Sequence, residues 1–151
     1  VEGEHSGAVR HGAKLFYAYA EATIPMVTVV LRKAYGGGYV SLGSRHIGAD
    51  YVFCLPTAEI AVMGPESAVS VLYHKEIKAI VENGGDVEAF KKEKAEEYRR
   101  EYANPYEAGA KGYIDDVVKP QDVRGRVIDA FASLSGKTVD RPNKKHGLTP
   151  A

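Results

Sequence analysis

The spacing of apolar residues along the chain changes period several times, and each change marks an element. Between residues 8 and 23, Val9, Ala13, Phe16, Tyr17 and Ala20 recur at intervals of three and four, which predicts a helix with one apolar face. Pro25 stops that helix. The run Val27-Thr-Val-Val-Leu31 is too short for another helix and too continuous for an exposed strand, so a buried strand is expected. Gly36-Gly37-Gly38 then reads as a turn, residues 39–46 as a short helix and residues 50–55 as the next strand. Pro56 breaks that strand, and residues 58–63 give a third short apolar segment. Gly64-Pro65-Glu66 has proline in a first helical turn and an acid near the positive end of the dipole, which predicts one long helix over 65–82.

Asn83-Gly84-Gly85-Asp86 is a turn, and Asp86 is placed to cap a charged helix through residue 102, with Val87, Phe90, Ala95 and Tyr98 on its buried side. The mixed charges of residues 91–101 read as a solvated face with i,i+4 pairs. Asn104-Pro105 ends that helix. A turn of helix at 108–112, a strand at 113–118 and a last amphipathic helix at 120–134, through Val123, Val127, Ile128 and Phe131, complete the pattern. Strands alternating with helices predict an α/β fold. The domain is expected to occupy residues 1–134. Residues 135–151, rich in Gly, Lys, Pro and Asn, read as a tail, mobile or laid on another subunit.

With 151 residues, one domain can bury roughly 68–70% of its unfolded surface. Twenty basic and twenty acidic residues cancel, which removes the long-range field of a nucleic-acid or anionic-membrane binder. The longest apolar stretch, residues 24–31, is far short of a membrane span. The single cysteine, Cys54, lies in an apolar stretch with no basic neighbour in sequence, the setting of a buried structural thiol in a reducing compartment, cytoplasmic or mitochondrial matrix. The sequence opens on Val1 with no secretory signal and reads as a piece of something longer.

Candidate chemistry concentrates at Gly36-Gly37-Gly38. Glycine lets backbone amides approach a ligand with no Cβ in the way, and amides at a helix start can face an anion. Spacing alone leaves a ligand loop and a plain strand-to-helix turn both open. The run is not G-x-G-x-x-G, and no Lys-Ser or Lys-Thr follows it at phosphate-loop distance. His5, His11, His46, His74 and His146 form no pair at metal-ligand spacing, so no metal site is expected. The serines lack a nucleophile-elbow context. Among the acids Glu21, Asp50, Glu59 and Glu66, Glu59 interrupts an otherwise apolar run and is expected to need an ion-pair partner.

The segment Arg32-Lys-Ala-Tyr-Gly-Gly-Gly-Tyr39, followed by Pro56-Thr-Ala-Glu-Ile-Ala-Val-Met-Gly-Pro-Glu66, resembles the carboxyltransferase subunits of acyl-CoA carboxylases, especially the propionyl-CoA carboxylase β type. The resemblance extends upstream through Arg10-His-Gly-Ala-Lys14 and Tyr17-Ala-Tyr-Ala-Glu-Ala22. Downstream it runs through Asn104-Pro-Tyr106 and Gly112-Tyr-Ile-Asp-Asp116 to the closing Lys144-Lys-His-Gly147. It covers nearly the whole chain but only the second of the family's two crotonase-like halves, each a ββα superhelix.

The resemblance implies a substrate, carboxybiotin, carried on a separate domain or subunit. It also implies CO₂ transfer to the α carbon of an acyl-CoA, and an oxyanion hole for biotin made by the Gly37 and Gly38 amides. Ala34, Tyr35, Gly36, Tyr39, Asp50, Glu59 and Gly64 are implied to lie near biotin or acyl-CoA, and residues 50–53 are the region to inspect for acyl-chain choice. Implied partners are an N-terminal carboxyltransferase half-domain, a biotin carboxyl carrier with its biotin carboxylase, and further copies in a homo-oligomer. A decarboxylase component running the transfer in reverse, and a non-catalytic half-subunit that completes a partner's site, are the alternatives. A biotin-independent crotonase-like enzyme would need an acid or base beside Gly37 and Gly38, and the sequence offers no convincing one.

Overall fold

The chain begins with helices and then alternates strand pairs with helices. The computed structural model describes residues 2–141, 143 and 147–150; Val1 and the stretch Lys144, Lys145 and His146 of the closing motif lie outside the described residues. A first helical turn α1 (Glu2–His5) precedes α2 (Ala8–Glu21), the helix expected over 8–23. Next come β1 (Val27–Val30), β2 (Lys33–Tyr35) and α3 (Gly36–Ser41), then β3 (Tyr51–Cys54), β4 (Glu59–Ala61) and α4 (Pro65–Leu72). The rest is α5 (His74–Glu82), α6 (Val87–Glu101), α7 (Pro105–Ala110), β5 (Asp116–Val117) and α8 (Val123–Ser133).

β1, β3 and β5 form one parallel sheet with β3 in the middle, while β2 and β4 form a second parallel pair. Each ββα unit therefore sends its first strand to one sheet and its second to the other. The next unit stacks on it in register, Val27 opposite Tyr51 and Lys33 opposite Glu59. This is the crotonase-like ββα superhelix, an α/β fold, as expected. Parallel pairing requires the crossover helices, which cover the sheets and allow β3 to be apolar on both faces. Val52, Phe53 and Cys54 are all buried there. One core cluster joins Val30, Ala34, Tyr39, Val52, Cys54 and Ile60; another joins Phe53, Val118 and Ala130 under α8.

Several elements differ from expectation, each for a local reason. β1 is not wholly buried: only Val30 is, because this strand sits at the sheet edge. β2 is additional; three residues with one buried alanine leave no readable period. The glycine triplet is the first turn of α3 and not a turn ahead of it, and the short helix expected over 39–46 ends at Ser41, with a 3-10 turn at Arg45–Ile47. The helix expected over 65–82 breaks at Tyr73, whose φ of −111° and ψ of 26° leave the helical range. There its ring meets Phe90 edge-on, with centroids 5.9 Å apart.

Asp86 caps α6 as expected, accepting from the Ala89 amide at 3.0 Å, but only Ala95 on that helix is buried. α7 starts earlier than residue 108, because the Asn104 side chain accepts from the Tyr106 and Glu107 amides and Pro105 fills the first turn. The strand expected over 113–118 pairs only at Asp116 and Val117. The last helix opens with a 3-10 turn, Pro120–Asp122. No helix among the described residues is long and apolar enough to cross a membrane.

Candidate active site

The site is organised by the junction between β2 and α3. Tyr35 ends the strand in extended conformation, and Gly36 then turns the chain with a φ of +54°, a region that side-chain-bearing residues rarely adopt. A Cβ on Gly36 would stand 2.7 Å from the carbonyl oxygen of Val62, so the turn presses directly on the segment joining β4 to α4. Gly37 and Gly38 are not confined in this way. Both are exposed, and a Cβ on either would meet nothing within 4 Å. The first N–H groups of a helix have no intrahelical acceptor, so these amides are donors available to a ligand.

Gly36, Gly37 and Tyr39 line a cleft of about 1030 Å³. Its apolar wall includes Ile60, Val62 and Leu72, and its aromatic wall is Tyr73, Tyr98, Tyr102 and Tyr113. Lys94, Glu97, Glu101, Glu107 and Lys111 bring charge to it. The charged run 91–101 is thus not purely a solvated face, since three of its charged side chains border the cleft. The aromatic wall was not foreseen as a site. Its signal was Tyr98 and Tyr102 at i,i+4 spacing, but the remaining tyrosines join them only through tertiary packing. His46 also borders the cleft, edge-on to Tyr113 at 4.7 Å between centroids and to Tyr39 at 5.8 Å.

The other expected site residues lie behind or away from this opening. Ala34 is buried in the core of β2. The Tyr35 ring lies against Gly64, where an added Cβ would sit 3.3 Å from Cε2, and its hydroxyl donates to Glu59. Glu59 has the ion-pair partner its apolar context demanded: Arg99 Nε stands 3.7 Å from Oε2. Arg99 also pairs with Glu66 and, at 2.7 Å, with Glu96. Asp50 is not at the cleft; it accepts from the Met26 amide at 2.7 Å and from Lys137 Nζ at 2.7 Å.

Burial, and then the hydrogen bond to Glu59, push the Tyr35 phenol well above its ordinary value, and burial raises that of Tyr39. Both stay protonated at neutral pH. The hydrogen bond to Glu97 at 2.7 Å raises Lys94, which remains cationic. Chemically, the Gly37 backbone donor lies at the mouth of an amphipathic cleft with the exposed Gly38 next to it, a setting suited to stabilising a developing oxyanion.

Stacked ββα turns with a glycine-led helix opening on a cleft define a crotonase-like fold. The chain belongs to the carboxyl transferase domain family, whose model matches residues 1–149. It is 55% identical over 150 residues to the putative propionyl-CoA carboxylase beta chain of Bacillus subtilis (strain 168), a match covering 99% of this chain and 29% of that protein. It is 51% identical, over 99% of its length and 28% of the relative's, to the methylmalonyl-CoA decarboxylase subunit alpha of Propionigenium modestum. Among solved structures it superposes on a chain of the transcarboxylase 12S crystal structure with methylmalonyl-coenzyme A and methylmalonic acid bound. That match has a TM-score of 0.88 and 49% identity, and it covers all of this chain and 28% of the other. The chain therefore spans less than a third of the length of these relatives.

Proposed function

We propose that this chain is the C-terminal carboxyltransferase half-domain of a biotin-dependent acyl-CoA carboxylase, acting on a propionyl-CoA-like substrate. The observation that carries the reading is Gly37, whose first-turn amide borders the cleft, with Gly38 exposed beside it and nothing within 4 Å of where either Cβ would be. Carboxybiotin arrives as a substrate on a separate carrier and supplies CO₂, leaving its ureido oxygen as the charge to be stabilised. Gly37 and Gly38 donate to that oxygen, and such a donor contributes about 3–4 kcal/mol to the transition state. Tyr39, Ile60 and the cleft tyrosines exclude water around it, which strengthens those hydrogen bonds.

The CoA-binding elements are assigned to an N-terminal carboxyltransferase half-domain, so a complete site forms between the two. α2 supports this: none of its residues is buried, and Val9, Leu15 and Phe16 are exposed apolar surface on it. Homo-oligomer assembly, with a biotin carboxyl carrier and biotin carboxylase as working partners, goes with the same reading. A decarboxylase component is the second reading, favoured by the 51% identity to the Propionigenium subunit.

The test mixes the purified chain with free biotin and methylmalonyl-CoA, with and without the upstream segment of a relative, and follows carboxyl transfer to biotin. Transfer in the mixture, reduced at least about hundredfold by Gly37→Val with an unchanged unfolding midpoint, is the expected result. Full activity in the folded variant would overturn the assignment of the amides. A folded pair of associated segments without any transfer would leave an assembly role in place of catalysis.

A further inference from the structure

The Tyr35, Glu59 and Arg99 side chains form a chain of contacts that starts at the glycine turn and ends on a different helix. Tyr35 is the residue immediately before Gly36, and its side chain has two holds: its ring against Gly64 and its hydroxyl on Glu59. Glu59 belongs to β4, the strand paired with β2, in which Tyr35 is opposite Ala61. Arg99 of α6 reaches Glu59 with Nε while its two other nitrogens engage Glu66 and Glu96. It thus ties the carboxylates of β4 and the first turn of α4 to its own helix. Gly36, pressed on the Val62 carbonyl, is held from the same β4-to-α4 segment.

We propose that Arg99 is a positioning residue: through Glu59 it fixes the Tyr35 hydroxyl, and with it the direction of the Gly37 amide bordering the cleft and of the Gly38 amide next to it. This rests on the carboxyltransferase reading for its catalytic consequence, but the mechanical link stands on the contacts alone. The physical case is that a first-turn amide has no partner of its own to orient it. Its direction is inherited from the residues just before it. The contact with Gly64 holds one side of the Tyr35 ring and the hydroxyl bond fixes its far end, and Glu59 can make that bond only while its own charge is balanced in a setting where the side chain is 23% exposed. Arg99, planar and multiply donating, suits that task better than a lysine would.

The experiment has two arms. The first measures steady-state carboxyl transfer in the mixture described above for Tyr35→Phe, Glu59→Gln, Arg99→Met and Arg99→Lys, with Lys78→Ala as a surface control. Tyr35→Phe and Arg99→Met are expected to lower kcat about tenfold while KM for biotin stays within about twofold. Glu59→Gln keeps an acceptor for the Tyr35 hydroxyl and is expected to lose only about threefold, and Arg99→Lys to fall between.

The second arm records the ¹⁵N amide signals of Gly37 and Gly38 in the chain by itself, which should move in Tyr35→Phe and Arg99→Met and not in Lys78→Ala. Tyr35→Phe preserves side-chain volume, so a folding failure is not expected to obscure the result. Unmoved glycine signals together with unchanged kcat in Tyr35→Phe would overturn the link while leaving the carboxyltransferase reading intact. Moved signals with a wild type that transfers nothing would do the reverse.

Discussion

Lys137 Nζ donates to the Asp50 carboxylate at 2.7 Å across 87 positions of sequence, and it donates also to the Ile24 carbonyl at 3.1 Å. Asp50 in turn accepts from the Met26 amide, so one carboxylate joins the entry of β1, the entry of β3 and the segment that follows α8. A few residues on, Arg141 meets Glu21 at 2.6 Å and the Ala20 carbonyl at 3.3 Å, against the C-terminal end of α2 where a cation is favoured. Residues that read as a tail in the sequence thus make ordered contacts with the body of the same chain.

Both partners of that pair are largely buried, with side chains 15% and 18% exposed. Burial would raise the Asp50 carboxyl, but the hydrogen bonds from Lys137 and the Met26 amide outweigh it and hold the group below its ordinary value. A depressed folded-state value means that the stabilisation is present above the usual carboxylate range and is lost as the pH falls through that folded value. Glu66, lowered by its own backbone amide and, against burial, by Arg99, adds in the same direction. Urea unfolding of Lys137→Met at neutral pH is expected to show a loss of about 2 kcal/mol. In Asp50→Asn the loss of stability on acidification should be smaller than in the wild type; an identical acid profile would remove Asp50 from the account.

Cys54 is fully buried in the middle strand, and burial first, then the Asp116 charge, push its thiol up to about 11. At neutral or mildly alkaline pH the thiolate is scarce and has no path to a reagent. A thiol reagent is therefore expected to leave the native chain unmodified over hours and to label it quickly in denaturant. Rapid labelling of the native chain would mean that β3 opens far more easily than its place in the core implies.

What could be read from the sequence was whatever depends on neighbours in the chain. The Asp86 cap, the Pro65 start, the apolar run of β3 and the need of Glu59 for a partner are all decided within a few residues, and each stands in the structure. The break at Tyr73 was hidden because i to i−4 bonds run on either side of it, from the Tyr73 amide to Val69 and from Ile77 to Tyr73, leaving the apolar period intact. The identity of the Glu59 partner was equally hidden, since Arg99 lies in a charged run whose members look interchangeable. Its role is chosen by the packing of α6 on α4. The cleft has the same origin, for its tyrosines come from the break at Tyr73, from α6 and its cap, and from the loop after α7, and only tertiary packing brings them beside the glycines.

The three glycines are alike in sequence and unlike in place, which gives a sharp stability test. Gly36 combines a φ of +54° with a Cβ position 2.7 Å from the Val62 oxygen, so an alanine there must both strain the backbone and push on another main chain that cannot swing aside. Gly36→Ala is expected to cost about 2–3 kcal/mol in urea unfolding. Gly37→Ala has open space around it and no positive φ, so its effect should stay within about 0.5 kcal/mol, and the lower backbone entropy of alanine in the unfolded chain favours the stabilising sign. Equal costs at the two positions would mean that the turn is not pinned on Val62. A large cost at Gly36 alone would show that the first glycine anchors the turn, leaving the next two free to face a ligand.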